Sequence, residues 1–122
     1  MPTKILAVDD SPTMRMLLRA TLTAQGYEVR DAEDGLAALE ILNRDERPDL
    51  VITDINMPRL DGFGLIAELR ARPAFRDMPI LVLSTESAPE KKAVARRAGA
   101  SGWLVKPFDP ESLATAIRRV IH

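Results

Sequence analysis

Residues 50–62 read LVITDINMPRLDG, and the fold follows from how this stretch is understood. Leu50 to Thr53 suit a buried strand, which delivers one carboxylate, Asp54, to its end. The chain then turns away through Asn56, Met57 and Pro58. Asp61-Gly62 is expected to close the turn, because this dipeptide tolerates the positive φ that tight turns often need. A carboxylate at the C-terminal end of a buried strand occupies the position where open α/β sheets bind ligands. A helix-capping or turn aspartate is the plain alternative, and the surrounding chain has to decide.

On the N-terminal side, Ile5-Leu6-Ala7-Val8 is a continuous apolar run, the pattern of a strand covered on both faces. It ends in Asp9 and Asp10. Ser11-Pro12 opens a helix with a capping hydroxyl and a proline whose missing N–H costs nothing there. Met14, Leu17, Leu18 and Leu22 give it one apolar stripe, and Gly26 stops it. Residues 27–31 alternate as an edge strand would, and Asp34-Gly35 is expected to break the chain. Leu36, Leu39 and Leu42 then mark a second, shorter helix, ending in the polar run from Asn43 to Arg47.

On the C-terminal side, 63–72 reads as a helix with Leu65, Ile66 and Leu69 inward, ended by Pro73. Ile80 to Leu83 is a third apolar strand, ending at Ser84-Thr85-Glu86. The helix from Pro89 to Ala98 is alanine-rich and cationic, with a thin apolar stripe. Gly99 ends it, and Trp103-Leu104-Val105 forms a short strand before Lys106-Pro107. Asp109-Pro110-Glu111 caps a last helix with Leu113, Ala116, Ile117, Val120 and Ile121 inward. This strand–helix unit repeated five times predicts one α/β domain over residues 1–122. It is a doubly wound (βα)5 three-layer sandwich on a five-stranded parallel sheet with right-handed crossovers.

Composition narrows the chemistry. The formal net charge is −1, from 17 basic and 18 acidic residues, which gives no reason to expect nucleic-acid binding. There is no cysteine, and the single histidine is the last residue, His122. Thiolate chemistry and an imidazole base are therefore not expected, and any metal is held by oxygen, which favours magnesium or manganese. No apolar run approaches membrane-spanning length, and no room is left for a signal peptide, so a cytoplasmic protein is expected.

Parallel topology gathers the C-terminal strand ends on one rim, which collects Asp9, Asp10, Asp54, Ser84 and Lys106. Carboxylates brought together repel, and a divalent cation relieves the repulsion. Lys106 and Ser84 suit an incoming phosphoryl oxygen. Each residue alone has a plain role as cap, turn hydroxyl or solvated lysine. Their coincidence on four separate strand ends is what argues for a site.

The segments VDDS (8–11), TDINMPRLDG (53–62), LSTES (83–87) and WLVKPF (103–108) resemble the receiver domain of two-component response regulators, over essentially the whole chain. The resemblance implies the sheet order 2-1-3-4-5 and a phosphoryl group accepted on Asp54 from a phosphohistidine of a partner kinase. Mg2+, or Mn2+, would be held by Asp10 directly, by Asp9 largely through water, by Asp54 and by the backbone carbonyl of Asn56. Lys106 would pair with Asp54 and then with the phosphoryl oxygens, Ser84 would turn in to bond one of them, and Lys106-Pro107 is a candidate cis bond. Trp103 stands at the switch-aromatic position, usually Tyr or Phe, and its indole N–H needs a partner. Asn56 and Glu86 stand where the family tunes phosphoryl lifetime.

The phrasing is most similar to stand-alone chemotaxis regulators of the CheY type. That implies a chemotaxis-type histidine kinase as phosphodonor and a flagellar motor switch protein, or another protein, as target. The target would dock on the last strand and its two flanking helices, where Lys91, Lys92, Arg96, Arg97, Arg118 and Arg119 make the outer faces basic. A monomer without an output domain is expected, catalysing only its own phosphorylation and dephosphorylation. A phosphate sink or phosphorelay shuttle is the alternative role. An aspartate-nucleophile phosphatase would want a second aspartate two residues after Asp9, where Ser11 stands. A nucleotide or flavin binder would want a glycine-rich loop after the first strand.

Overall fold

The computed structural model describes residues 2–45 and 47–121, so the expectation attached to His122 lies outside the described residues. The elements alternate as β1 (Lys4–Val8), α1 (Pro12–Ala24), β2 (Glu28–Ala32), α2 (Gly35–Arg44), β3 (Leu50–Thr53), α3 (Gly62–Arg70), β4 (Ile80–Ser84), α4 (Pro89–Ala98), β5 (Gly102–Val105) and α5 (Pro110–Val120). A short 3-10 turn, Pro73–Phe75, sits between α3 and β4. The sheet order is β2-β1-β3-β4-β5 with every neighbouring pair parallel, as the resemblance implied.

Two apolar clusters lie on opposite faces of the sheet. Leu18 and Leu22 of α1 and Leu113, Ile117 and Val120 of α5 pack on one face, against Ile5, Ala7, Ile52 and Leu83. Leu39 and Leu42 of α2, Leu65, Ile66 and Leu69 of α3 and Ala95 of α4 cover the other, against Leu6, Val8, Val51 and Val82. The central strands β1, β3 and β4 are buried on both sides, which is why they read as unbroken apolar runs. Edge strand β2 alternates.

Helix starts follow their caps. Ser11, Asp34, Asp61 and Asp109 each accept a backbone N–H from the first turn of the helix that follows. Helix α4 is the exception: its cap, Ala88, has no side-chain acceptor, and Ala95 is its one buried residue. The thin stripe expected there is what the structure has.

Several local expectations are corrected. The apolar spacing puts Leu17 and Leu36 on the inward stripes, yet they are 48% and 41% exposed. The burying stripe of α1 runs through Met14, Leu18 and Leu22 at four-residue spacing, and Leu17 lies about 100° around the helix from Leu18. On α2 the stripe is Gly35, Ala38, Leu39 and Leu42, beside Leu36. Asp34-Gly35 begins α2 and does not merely break the chain, with Asp34 as its cap. Helix α3 ends at Arg70, before Pro73, which opens the 3-10 turn. The positive φ in the turn after β3 belongs to Arg59 (65°) and not to Gly62. Gly62 is required for space instead: a Cβ there would lie 2.3 Å from the Asp54 carbonyl oxygen.

Candidate functional site

The rim is assembled by backbone bonds before any side chain acts. The Asp54 N–H donates to the Val8 carbonyl at 3.0 Å, continuing the β1–β3 ladder one residue past the strands. The Lys106 N–H donates to the Ser84 carbonyl at 2.8 Å, and the Asp9 N–H to Ala32 at 3.1 Å. Residues separated by nearly the whole chain are thereby held in register on one edge.

Asp9, Asp10 and Asp54 bring carboxylate oxygens within 4.8 Å of one another. Asp9 is buried, Asp54 half-buried and Asp10 exposed. Asp9 Oδ1 accepts the Ser11 N–H at 2.9 Å, and Asp54 Oδ1 accepts the Ile55 N–H at 2.7 Å, so both carboxylates are oriented by backbone. The Lys106 ammonium lies between them, donating to Asp9 Oδ2 at 2.7 Å and to Asp54 Oδ2 at 3.0 Å. Burial opposes its charge, but the bonds to Asp9 and Asp54 and their negative charges outweigh that and raise its pKa above the ordinary lysine value. One ammonium facing three carboxylates leaves the cluster short of positive charge.

That shortage is the test of fit for a cation. All the donors are oxygens, one carboxylate stays open to water, and the cluster is compact, which suits a hard ion that retains waters. The acidic cluster therefore fits Mg2+.

Ser84, the last residue of β4, is fully buried, and its Oγ accepts the Glu86 N–H at 3.2 Å. Trp103 on β5 is half-buried, and its indole N–H finds its partner in the Glu86 carbonyl at 3.0 Å. Asn56 is exposed in the loop after Asp54 and Glu86 half-buried in the loop after Ser84, so each follows a rim residue as the sequence suggests. The Lys106-Pro107 bond is cis. Of the basic residues assigned to the outer faces of α4 and α5, Lys91, Arg96, Arg97, Arg118 and Arg119 are exposed and Lys92 is half-buried.

Two features escaped the sequence reading. Arg15, one turn into α1, donates Nη1 to the Asp9 carbonyl at 2.6 Å and so steadies the strand end that carries two of the acids. Arg59 makes a two-pronged ion pair with the buried Asp34, Nε to Oδ2 at 2.6 Å and Nη2 to Oδ1 at 2.9 Å. The place of Arg15 on the first turn after Asp9 is the local signal that points to it. Nothing local to Arg59 points to a partner 25 residues away.

The sequence matches the response regulator receiver domain family over residues 5–118. It is 39% identical to a chemotaxis protein CheY homolog of Campylobacter jejuni, over 97% of this chain and 92% of that protein. It is 42% identical to the response regulator MprA of Mycobacterium leprae, where the match takes up 98% of this chain and 51% of the longer protein. Among solved structures, the chemotaxis protein CheY4 of Vibrio cholerae is 44% identical with a TM-score of 0.94, covering 99% of this chain and all of that one. The receiver domain of the sensor histidine kinase PA1611 of Pseudomonas aeruginosa, 30% identical with a TM-score of 0.89 over 98% of each chain, carries a magnesium ion coordinated in its active site cleft.

Proposed function

As the chain belongs to the response regulator receiver family, we propose that it is a cytoplasmic phosphoryl-accepting switch, most akin to chemotaxis regulators, with Asp54 as acceptor. The observation that carries the reading is the lysine shared by two carboxylates of one acidic cluster: Lys106 on Asp9 and Asp54, with Asp10 beside them. A purely structural ion pair would not need the third carboxylate.

Asp54 is the nucleophile. One of its oxygens forms a bond to phosphorus while the N–P bond of the donor phosphohistidine breaks, and the electron pair leaves on the imidazole nitrogen. The Ile55 N–H on Asp54 Oδ1 fixes the carboxylate plane and limits the search for an attacking geometry. Lys106 stays anchored to Asp9 while its second bond passes from Asp54 Oδ2 to a phosphoryl oxygen, where its charge meets the charge that develops. Ser84 Oγ accepts from Glu86 N–H, so its own proton is available to another phosphoryl oxygen. Asp9, Asp10, Asp54 and the Asn56 carbonyl would hold Mg2+, which supplies Lewis-acid neutralisation of the phosphoryl oxygens. Later attack by water on phosphorus breaks the bond to Asp54 and resets the switch, at a rate set in part by Asn56 and Glu86 beside the site.

Output by protein contact on the α4-β5-α5 face fits the bond between Trp103 and the loop that carries Glu86, because a change at Ser84 reaches that face through one residue, Glu86. A chemotaxis-type kinase as donor and a motor switch protein as target rest on the likeness to chemotaxis proteins over nearly their whole length. The comparable identity to MprA keeps a second reading in play, a receiver serving another pathway as sink or shuttle.

The test is phosphoryl uptake from acetyl phosphate with Mg2+, followed by intact mass, beside Asp54→Asn. One base-labile phosphoryl group on the wild type and none on the variant is expected. No uptake, or equal uptake by the variant, overturns the reading. Binding of the phosphorylated protein to a motor switch protein then separates chemotaxis output from a sink.

A further inference from the structure

Asp34 and Arg59 lie outside the acidic cluster of Asp9, Asp10 and Asp54, yet their pairing is unusual. Asp34 is buried, caps α2 through the Ala37 N–H at 2.9 Å, and still gives both oxygens to one guanidinium. Arg59 is the one non-glycine residue with positive φ among the described residues. It stands at the centre of a three-residue turn in which the Leu60 N–H donates to the Pro58 carbonyl at 2.7 Å. A long side chain pays for such a backbone unless something outside the turn holds it.

The turn is also tied to α2 by backbone. The Gly35 N–H donates to the Leu60 carbonyl at 3.1 Å, and a Cβ on Gly35 would lie 2.5 Å from that same oxygen. At the other end, the Ile55 N–H is on Asp54 Oδ1 and the Ile55 carbonyl accepts the Gly62 N–H at 2.8 Å. Residues 56–58, which include Asn56, are therefore suspended between two fixed points, the Asp54–Ile55 unit and Arg59.

From this we infer that the Asp34–Arg59 pair is a positioning clamp for the metal site: it holds the Arg59 turn and so sets the path of the loop that presents the Asn56 carbonyl beside Asp54. The inference rests on the receiver reading, in which that carbonyl is a ligand. Neither Asp34 nor Arg59 belongs to the cluster of Asp9, Asp10 and Asp54. The clamp acts on affinity for the cation and not on the chemical step.

Calorimetric titration with Mg2+ tests it in four proteins: wild type, Asp34→Asn, Arg59→Ala, and the double variant Asp34→Asn/Arg59→Gly. Asparagine keeps the helix cap, so Asp34→Asn removes the ion pair while leaving α2 its N-terminal acceptor. Mg2+ binding should weaken about tenfold in Asp34→Asn and in Arg59→Ala, as for other residues that orient a ligand. Acetyl phosphate labelling should need more Mg2+ for half-saturation but reach the wild-type rate once Mg2+ saturates. Glycine adopts positive φ freely, so the double variant should recover most of the lost affinity although it lacks the ion pair. Folded variants that bind Mg2+ as the wild type does, or a double variant no better than Asp34→Asn, would overturn the clamp. A wild type that binds no Mg2+ would overturn the phosphoryl-acceptor reading and the clamp with it, a different result from unaltered variants.

Discussion

The Trp103 indole N–H donates to the backbone carbonyl of Glu86 at 3.0 Å, while the N–H of the same Glu86 donates to Ser84 Oγ at 3.2 Å. One residue of the β4–α4 loop thus connects a buried hydroxyl on the rim with an aromatic ring on the outer face. Phenylalanine could not make this bond. Trp103→Phe keeps a ring in place but leaves the Glu86 carbonyl without its indole donor. It should lower the unfolding free energy by about 1 kcal/mol. The amides of residues 85–88 should also exchange faster. Urea midpoints and hydrogen exchange measure both, and an unchanged midpoint would mean the bond adds nothing to holding the indole.

Lys106 predicts an alkaline limb. Burial works against its ammonium, yet its bonds to Asp9 and Asp54 raise its folded pKa above the ordinary value of 10.5. A raised pKa gives stability that is complete below the unfolded value and lost as pH rises through the folded one. In chelator, the stability advantage of wild type over Lys106→Met should hold steady up to the unfolded value of 10.5 and shrink above it. Urea titrations across that range decide. An advantage that grows with pH would contradict the assignment.

Metal should stabilise the fold. Mg2+ at about a hundred times its dissociation constant contributes about 2.7 kcal/mol, which for a chain of this size raises Tm by roughly 10 °C. EDTA should abolish the rise. Asp10→Asn removes an exposed acid from the three-carboxylate cluster, so it should sacrifice most of the Mg2+ response without lowering the metal-free Tm. Thermal scans with and without metal are sufficient. A full Mg2+ response in Asp10→Asn would remove Asp10 from the ligand set.

How much of this was legible beforehand depended on the range of the interaction. Asp9, Asp10, Asp54, Ser84 and Lys106 could be read together because parallel strand ends share a rim, so chain position alone implies spatial position. Capping by Ser11 and Asp109 was equally local. What escaped at long range was the partner itself: Arg59 on Asp34, 25 residues away, and the Glu86 carbonyl as the acceptor that the Trp103 indole was expected to need. The role of Gly62 was misread for a related reason. Its glycine is demanded by the returning Asp54 carbonyl, a steric fact, whereas the dipeptide alone suggests a backbone angle.

Gly62 yields a sharp contrast with Gly26. In a helix, alanine is favoured over glycine by about 1 kcal/mol. At position 62 the added Cβ would meet the Asp54 carbonyl oxygen at 2.3 Å and the Ile55 Cα at 2.8 Å, and both are backbone. Gly62→Ala should therefore cost about 3 kcal/mol despite its propensity, and should slow phosphoryl uptake by displacing Asp54. Gly26 has φ +92° but open space around it, so Gly26→Ala should cost only about 1 kcal/mol and leave uptake unchanged. Denaturant melts and labelling rates distinguish the two. Equal effects would mean the contact at Gly62 relaxes at little cost.

Helix α4 should be looser at one end than the other. Its N-terminal cap, Ala88, offers no side-chain acceptor, and Ala95 is its one buried residue. Its C-terminal end is held by Arg70 of α3, whose Nε and Nη2 donate to the Gly99 carbonyl at 3.0 and 2.8 Å while Nη1 reaches Phe75 at 2.7 Å. Burial lowers the pKa of that guanidinium, with Arg47 adding to the effect and Asp77 opposing it, but an arginine remains charged throughout the working range. Charged donors to carbonyls contribute more than neutral ones, so Arg70→Met should cost about 2 kcal/mol. In the wild type, amides near Lys92 should exchange faster than those near Gly99. In Arg70→Met that gradient should flatten, because the C-terminal end then opens as readily as the other, while α1 and α5 keep their order relative to one another. Hydrogen exchange read by mass spectrometry on short peptides resolves the two ends, and a gradient that survives the substitution would place the anchor somewhere other than Arg70.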